Sequence, residues 1–291
     1  MNKIALLLLA FLLTSNAQAL ELALFGDGGK KTESTEQILQ SIMKYQVKDV
    51  ALLGDNLYDM SVSYGDVWDD WFFKGLRFPI VALGNHRLSY QHEREYFHMP
   101  DEYYAKVVED VRFIVLNSDN AANVLAQRDF FLKEMTTAKG DPAAFTFLIF
   151  HHPPATLSAR HQWIEKKFFH DTFRPLLLQY RDQIDAIFVG HDHVAAVYSF
   201  ADIPLVVSGA AYEFFPVTPV TNEVVPGVGI KTFWIYKPKP HWARLETFSK
   251  SREVYVHFTA LEDHAGNNDS KVVCSVLLKA RQITLKPNCQ Q

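Results

Sequence analysis

The sequence predicts an α/β fold. Short apolar runs alternate with amphipathic stretches up to about residue 205, five of the runs end in polar clusters, and the pattern turns β-rich from residue 195. The runs cover 20–25, 49–53, 78–83, 111–116, 145–150 and 184–189. Several are rich in Val, Ile and Phe, which marks strands buried on both faces with helices between them. Residues 32–45 read as a helix because Ile38, Ile42 and Tyr45 share one side, and 126–135 groups Phe130, Phe131 and Met135 in the same way. A longer helix is expected over 163–180, with a kink at Pro175. Trp68, Trp71, Phe72 and Phe73 stand at helical spacing and read as core in preference to a pocket wall. The later β segments are 195–200, 204–207, 230–236, 244–248, 254–260 and 271–278. Residues 212–229 hold three prolines and two glycines and read as a long loop, either a lid or plain surface.

The composition bounds the function classes. With 48% hydrophobic and 21% charged residues in 291, the chain is neither disordered nor fibrous. Lys and Arg number 29 against 33 Asp and Glu, a formal net charge of −4. A protein that neutralises nucleic-acid phosphates is normally basic, so nucleic acid is not an expected partner.

Residues 1–19 read as a signal peptide. Lys3 is a positive start, residues 4–13 are an unbroken apolar run, and Ala17-Gln18-Ala19 is a small-x-small cleavage site. A ten-residue run is too short to span a bilayer, which takes roughly 20. The expectation is a secreted or periplasmic protein of one domain, 20–291, with no stable membrane association once the peptide is gone. In that oxidising setting Cys274 and Cys289 are expected to pair, a link worth about 3 kcal/mol.

The chemistry sits where the strands end. The runs lead into Gly26-Asp27-Gly28-Gly29, Gly54-Asp55-Asn56-Leu57-Tyr58, Gly84-Asn85-His86, His151-His152-Pro153 and Gly190-His191-Asp192-His193. In an open α/β sheet ligands bind at the carboxyl ends of the strands, so these clusters converge on one place. Their side chains supply oxygen and nitrogen donors without a thiolate, which suits iron, zinc or manganese. Seven donors exceed what one ion with an open position takes, whereas two ions sharing a carboxylate would use them all. Two neighbouring ions clamp the attacking and leaving oxygens of an in-line displacement.

These five blocks, together with Leu148-Ile149-Phe150 before His151 and Ser208-Gly209-Ala210 after the last, resemble those of the calcineurin-like metallophosphoesterases. Within that group they look most like the purple acid phosphatases. Relatives outside the purple branch mostly carry a histidine two residues after the first aspartate. Here that position is Gly29, and Tyr58 stands three residues after Asp55 instead. A phenolate is a hard anionic donor that favours Fe(III).

The resemblance implies a four-layer α-β-β-α sandwich of two mixed sheets, with the β-rich C-terminal part forming much of the second. It implies a dinuclear centre in which Asp27, Tyr58 and His193 hold Fe(III), Asp55 bridges, and Asn85, His151 and His191 hold Fe(II), Zn(II) or Mn(II). His151 is taken over His152 because it stands two residues before Pro153, and His152 is expected to be a partly exposed neighbour. His86 is the position for assisting the leaving-group proton or holding the phosphate, a positioned acid being worth about 10² to 10⁴ in rate. His161 is the candidate second active-site histidine. Where the family usually has an acidic residue after His86, this chain has Arg87. Either another carboxylate compensates or Arg87 grips the substrate phosphate.

The expected function is hydrolysis of small phosphate monoesters by in-line attack of a water that the ions acidify. The same donors would also serve a phosphodiesterase or pyrophosphohydrolase. A phosphate-binding protein without catalysis is the remaining alternative.

Overall fold

The computed structural model describes residues 20–138, 143–156, 161, 166–209, 228–236, 239–264 and 267–289. The expected signal peptide and most of the expected 212–229 loop lie outside them.

Two seven-stranded mixed sheets carry the fold. The first contains β1 (Glu21–Phe25), β2 (Asp49–Leu52), β3 (Arg77–Val81), β11 (His241–Phe248), β12 (Glu253–His264), β13 (Asn267–Lys279) and β14 (Gln282–Leu285), in the order β14-β13-β12-β11-β1-β2-β3. The second contains β4 (Tyr104–Val108), β5 (Val111–Val115), β6 (Phe145–Ile149), β7 (Ala186–Val189), β8 (Ala195–Phe200), β9 (Ile203–Ser208) and β10 (Ile230–Ile235), in the order β10-β8-β9-β7-β6-β5-β4. The helices are α1 (Glu33–Lys44), α2 (Tyr64–Phe73), α3 (Tyr90–Tyr96), α4 (Val124–Ala138) and α5 (Lys167–Tyr180).

Side chains of successive strand residues point to opposite faces, and here the two faces join two different cores. Phe113, Val115, Phe147, Ile149 and Phe188 enter the core that also holds residues of the first sheet, α1 and α2. Ile114, Leu116, Leu148, Phe150, Ile187 and Val189 enter a second core with Phe131 and Met135 of α4 and Phe169, Phe173 and Leu177 of α5. Burial on both sides is why these strands read as continuous apolar runs rather than alternating ones.

The sandwich differs from expectation in how the C-terminal third is shared. It contributes β8, β9 and β10 to the second sheet and β11 to β14 to the first. β1 pairs antiparallel with β11 and parallel with β2, so β11 to β14 extend the N-terminal sheet, while in the other sheet β8 lies between β10 and β9. The helix beginning at Lys167 continues through Pro175 without a break. Trp68 and Trp71 are core, whereas Phe73 is 87% exposed. Cys274 and Cys289 form the expected disulfide, tying the tail to β13. Among the described residues no helix is long and apolar enough to cross a membrane.

Candidate metal centre

The five polar clusters meet where the carboxyl ends of the parallel strands face one another. Backbone hydrogen bonds lace the loops together. Gly26 N donates to Ser208 O at 2.7 Å, Asp27 N to Gly54 O at 3.0 Å and Gly190 N to His151 O at 3.1 Å. Asp27, Asp55, His191 and His193 all adopt left-handed backbone with φ between 49° and 67°. Such residues cost on the order of 1–3 kcal/mol each and cluster at functional sites.

Glycines let the loops close. A Cβ on Gly84 would fall 2.1 Å from Asp55 Oδ1, and one on Gly29 would fall 2.1 Å from Leu57 N. Gly29 also accepts from Tyr58 N at 2.8 Å. No side chain fits at Gly29, and the tyrosine hydroxyl from the facing loop takes the space beside Asp27.

Asp27, Asp55, His151, His191 and His193 are buried, Tyr58 and Asn85 are half-buried, and His86 is exposed at the mouth. Tyr58 OH lies 3.1 Å from Asp27 Oδ1 and 3.2 Å from His193 Nε2. His193 Nε2 is 3.2 Å from the same carboxylate oxygen. On the other side Asn85 Oδ1 is 3.0 Å from His152 Nε2, and the rings of His152 and His161 lie 4.3 and 3.9 Å from that of His191. Asp55 stands between the two groups. Its Oδ1 accepts from His86 N at 2.9 Å and faces His151 Nε2 at 3.3 Å.

His152 is a correction. Expected to be partly exposed, it is only 2% exposed and belongs to a donor group with His151 and His191. Pro154 follows His152 by two residues just as Pro153 follows His151, so the proline spacing does not separate them. Ser118 fixes the His152 ring through Nδ1 at 2.7 Å.

Arg87 points to Asp119, its Nη1 lying 2.6 Å from Oδ2 and donating to Gly84 O at 2.7 Å, while its guanidinium stacks on Tyr90. Lys166 and the Tyr90 hydroxyl reach the same carboxylate. Sequence reasoning missed Asp119, which lies 32 positions from Arg87, and also Glu93. The latter is fully buried behind the second block and accepts from Asn56 Nδ2 at 2.7 Å and Tyr64 OH at 3.0 Å.

The charges are tightly coupled. Burial opposes a charge on His151, but the Asp55 and Asp27 carboxylates outweigh it and lift the imidazole to about 9. Burial would raise Asp55, yet His151 and His86 hold it well below the usual carboxylate range. Burial pushes His152 far down, with His191, His151 and Lys166 adding to it, so its ring is neutral, donating through Nε2 to Asn85 Oδ1. For Asp119 burial is outweighed by the Lys166 hydrogen bond and the Arg87 charge.

The donor set fits a pair of hard or borderline cations. Two groups of buried donors can each hold an ion, Asp27, Asp55 and His151 in one and His151, His152 and His191 in the other. The buried Nε2 of His151 has no hydrogen bond and faces two carboxylates, an environment that calls for positive charge.

The calcineurin-like phosphoesterase profile matches residues 20–195. The chain belongs to this family. Its chemistry is accordingly phosphoester hydrolysis at a site able to hold two metals. Among solved structures, this phosphoesterase is similar to GAP50, the anchor in the inner membrane complex of Plasmodium, with a TM-score of 0.65 and 16% identity over 88% of this chain and 89% of that one. It is similar to the purple acid phosphatase PPD1 from yellow lupin (Lupinus luteus) seeds, with a TM-score of 0.62 and 12% identity over 89% of this chain but 54% of the lupin chain. A dimetal phosphatase from Danio rerio matches with a TM-score of 0.51 and 11% identity over 87% of this chain and all of that one. At such identities the likeness is one of fold. No curated protein sequence matches.

Proposed function

We propose that this phosphoesterase is an exported phosphatase of the purple acid type, acting on small phosphate monoesters at an Fe(III)–M(II) centre with M iron, zinc or manganese. The observation that carries the reading is the Tyr58 hydroxyl between Asp27 Oδ1 and His193 Nε2. A phenol among hard donors suits a trivalent ion, and the same position built from histidine would suit a divalent one. Asp27, Tyr58 and His193 would hold that ion and Asp55 would bridge, with Asn85, His191 and the paired histidines at the other. Bound there, such a centre supplies Lewis acidity toward phosphoryl oxygens and toward water.

The chain's own residues do the rest. His86 stands exposed at the mouth with its backbone tied to Asp55, positioned to deliver a proton to the departing ester oxygen. His161, against the His191 ring, is the second group within reach of the phosphate. Arg87 is committed to Asp119 and Gly84 O. It therefore holds the His86 loop in place rather than gripping substrate. A net charge of −4 favours a small ester over nucleic acid. The disulfide and the Lys3-led apolar leader support an oxidising, extracytoplasmic location.

The test is elemental analysis with an absorption spectrum, followed by turnover of para-nitrophenyl phosphate against its bis ester. Two metals per chain including iron, a visible band and preference for the monoester are expected. Preference for the diester would replace the monoesterase reading. No turnover of either with both sites filled would leave a phosphate-binding protein.

A further inference from the structure

The loop that follows β5 supplies none of the expected ligands, yet it is fastened firmly. Asn117 and Ser118 are buried. Gln127 of α4 grips the backbone of Asn117 from both sides, accepting from Asn117 N at 2.8 Å and donating to Asn117 O at 2.9 Å. Asn117 Oδ1 in turn accepts from Asp119 N at 2.9 Å.

From this loop a chain of hydrogen bonds runs to the third block. His152 Nε2 lies 3.0 Å from Asn85 Oδ1. An amide oxygen only accepts, so Nε2 carries the hydrogen and the lone pair of the neutral ring is on Nδ1. Ser118 Oγ donates to that Nδ1 at 2.7 Å and accepts from His152 N at 3.1 Å, so one hydroxyl holds both the ring and the backbone of the same residue. Although His152 sits among the buried donors with His151 and His191, both of its ring nitrogens are thus engaged with protein groups.

Asn85 is the expected ligand that gains from such a hold. Turning its amide by 180° keeps the shape of the side chain but puts NH₂, which cannot bind a cation, where the oxygen was. A carboxylate has no such wrong orientation. Asn85 is only half-buried and follows Gly84, so packing does little to select one orientation. His152 does select, because a turned amide would set N–H against N–H. Oδ1 has two lone pairs, one for the His152 N–H and one left for an ion.

Resting on the reading of Asn85 as a ligand of the dinuclear centre, we propose that His152 is a positioning residue which, held by Ser118, fixes the Asn85 amide with its oxygen toward the ion on that side. His152 serves that ion through Asn85 and not by a bond of its own. The same loop holds Arg87 through Asp119, so it braces both neighbours of His86.

The test titrates full-length protein, stripped of metal, with Zn(II) against a chromophoric chelator, and circular dichroism establishes that each variant is folded. Wild type should bind two ions. His152→Ala should weaken one of them by about tenfold or more. Ser118→Ala should weaken the same ion, and it carries the test if His152→Ala does not fold. The deciding background is Asn85→Asp, since a carboxylate presents oxygen either way round. There the same two substitutions should change affinity by no more than about twofold. An equal loss in both backgrounds would overturn the positioning role, because His152 would then bind the ion itself or merely support the fold, and the phosphatase reading would stand. No loss with Asn85 in place would overturn it as well. Wild type that binds fewer than two ions would overturn the dinuclear reading itself, and this inference with it.

Discussion

The rings of Tyr58 and His86 lie 4.5 Å apart, tilted by 38°. The phenol that faces the buried donors thus carries on its back the one exposed imidazole of the site. Replacing Tyr58 with Phe keeps that packing surface and removes only the hydroxyl. The variant should lose the visible band and fold normally, since hydrogen bonds at a half-buried hydroxyl are worth about 1 kcal/mol. Absorption and thermal unfolding of the iron-loaded variant check this, and a retained band would count against the phenolate.

His86→Ala leaves the backbone N–H that donates to Asp55 Oδ1. Metal content should stay at the wild-type level while turnover of a monoester falls by about 10² to 10⁴. Elemental analysis beside steady-state kinetics separates the two effects. Unchanged turnover would remove His86 from the proton pathway.

Gly29→Ala puts a methyl 2.1 Å from Leu57 N, against backbone that cannot rotate away. The second-block loop must shift, at a cost of about 3 kcal/mol, and carry Asp55 and Tyr58 with it. Urea unfolding and metal analysis should both register the change. A histidine at this position should fare no better, which is why the tyrosine arrangement cannot be converted by a single exchange.

Asp119 holds Arg87 and Lys166 with one carboxylate, and all three side chains are at most one-fifth exposed. Asp119→Ala leaves two cations without their partner and should destabilise the fold by about 3 kcal/mol, read from the urea midpoint. A midpoint equal to wild type would mean that the pair is no anchor.

Glu93 sets a pH dependence. Burial pushes its carboxyl up to about 7, from 4.5 in the unfolded chain. Between those values the folded protein keeps a proton that the unfolded chain has released, so stability falls as pH rises, by about 3 kcal/mol across the window. In Glu93→Gln this contribution disappears. The difference in stability between variant and wild type should therefore grow in the variant's favour from pH 4 to pH 8. A difference that does not change with pH would show that the carboxyl is not buried in its neutral form.

Much of this was legible in the chain. The strand ends could be read because a run of Val, Ile and Phe that stops at Gly-Asp or Gly-His leaves few structural alternatives. Other parts give no local signal. α3 is seven residues long and turns a buried Glu93 inward, against the usual pattern. β4 and β14 are edge strands with little or no buried surface, so neither shows an apolar run. His152 was expected to be partly exposed, and nothing in a spacing of two histidines before two prolines shows that both are buried. The Arg87–Asp119 pair and the union of β1 with β11 join segments whose partnership no spacing rule encodes.

That union governs how the protein can be made. Leu20 N donates to the hydroxyl of Thr247, 227 positions away, and β1 gains its second neighbour only when β11 arrives. While the chain is still emerging from the ribosome, the strand that leads to Asp27 has one flank bare, an open template for wrong pairings. Assembly of the catalytic loops must wait for nearly complete synthesis, and a product cut short before β11 would be prone to aggregate rather than to work at reduced rate.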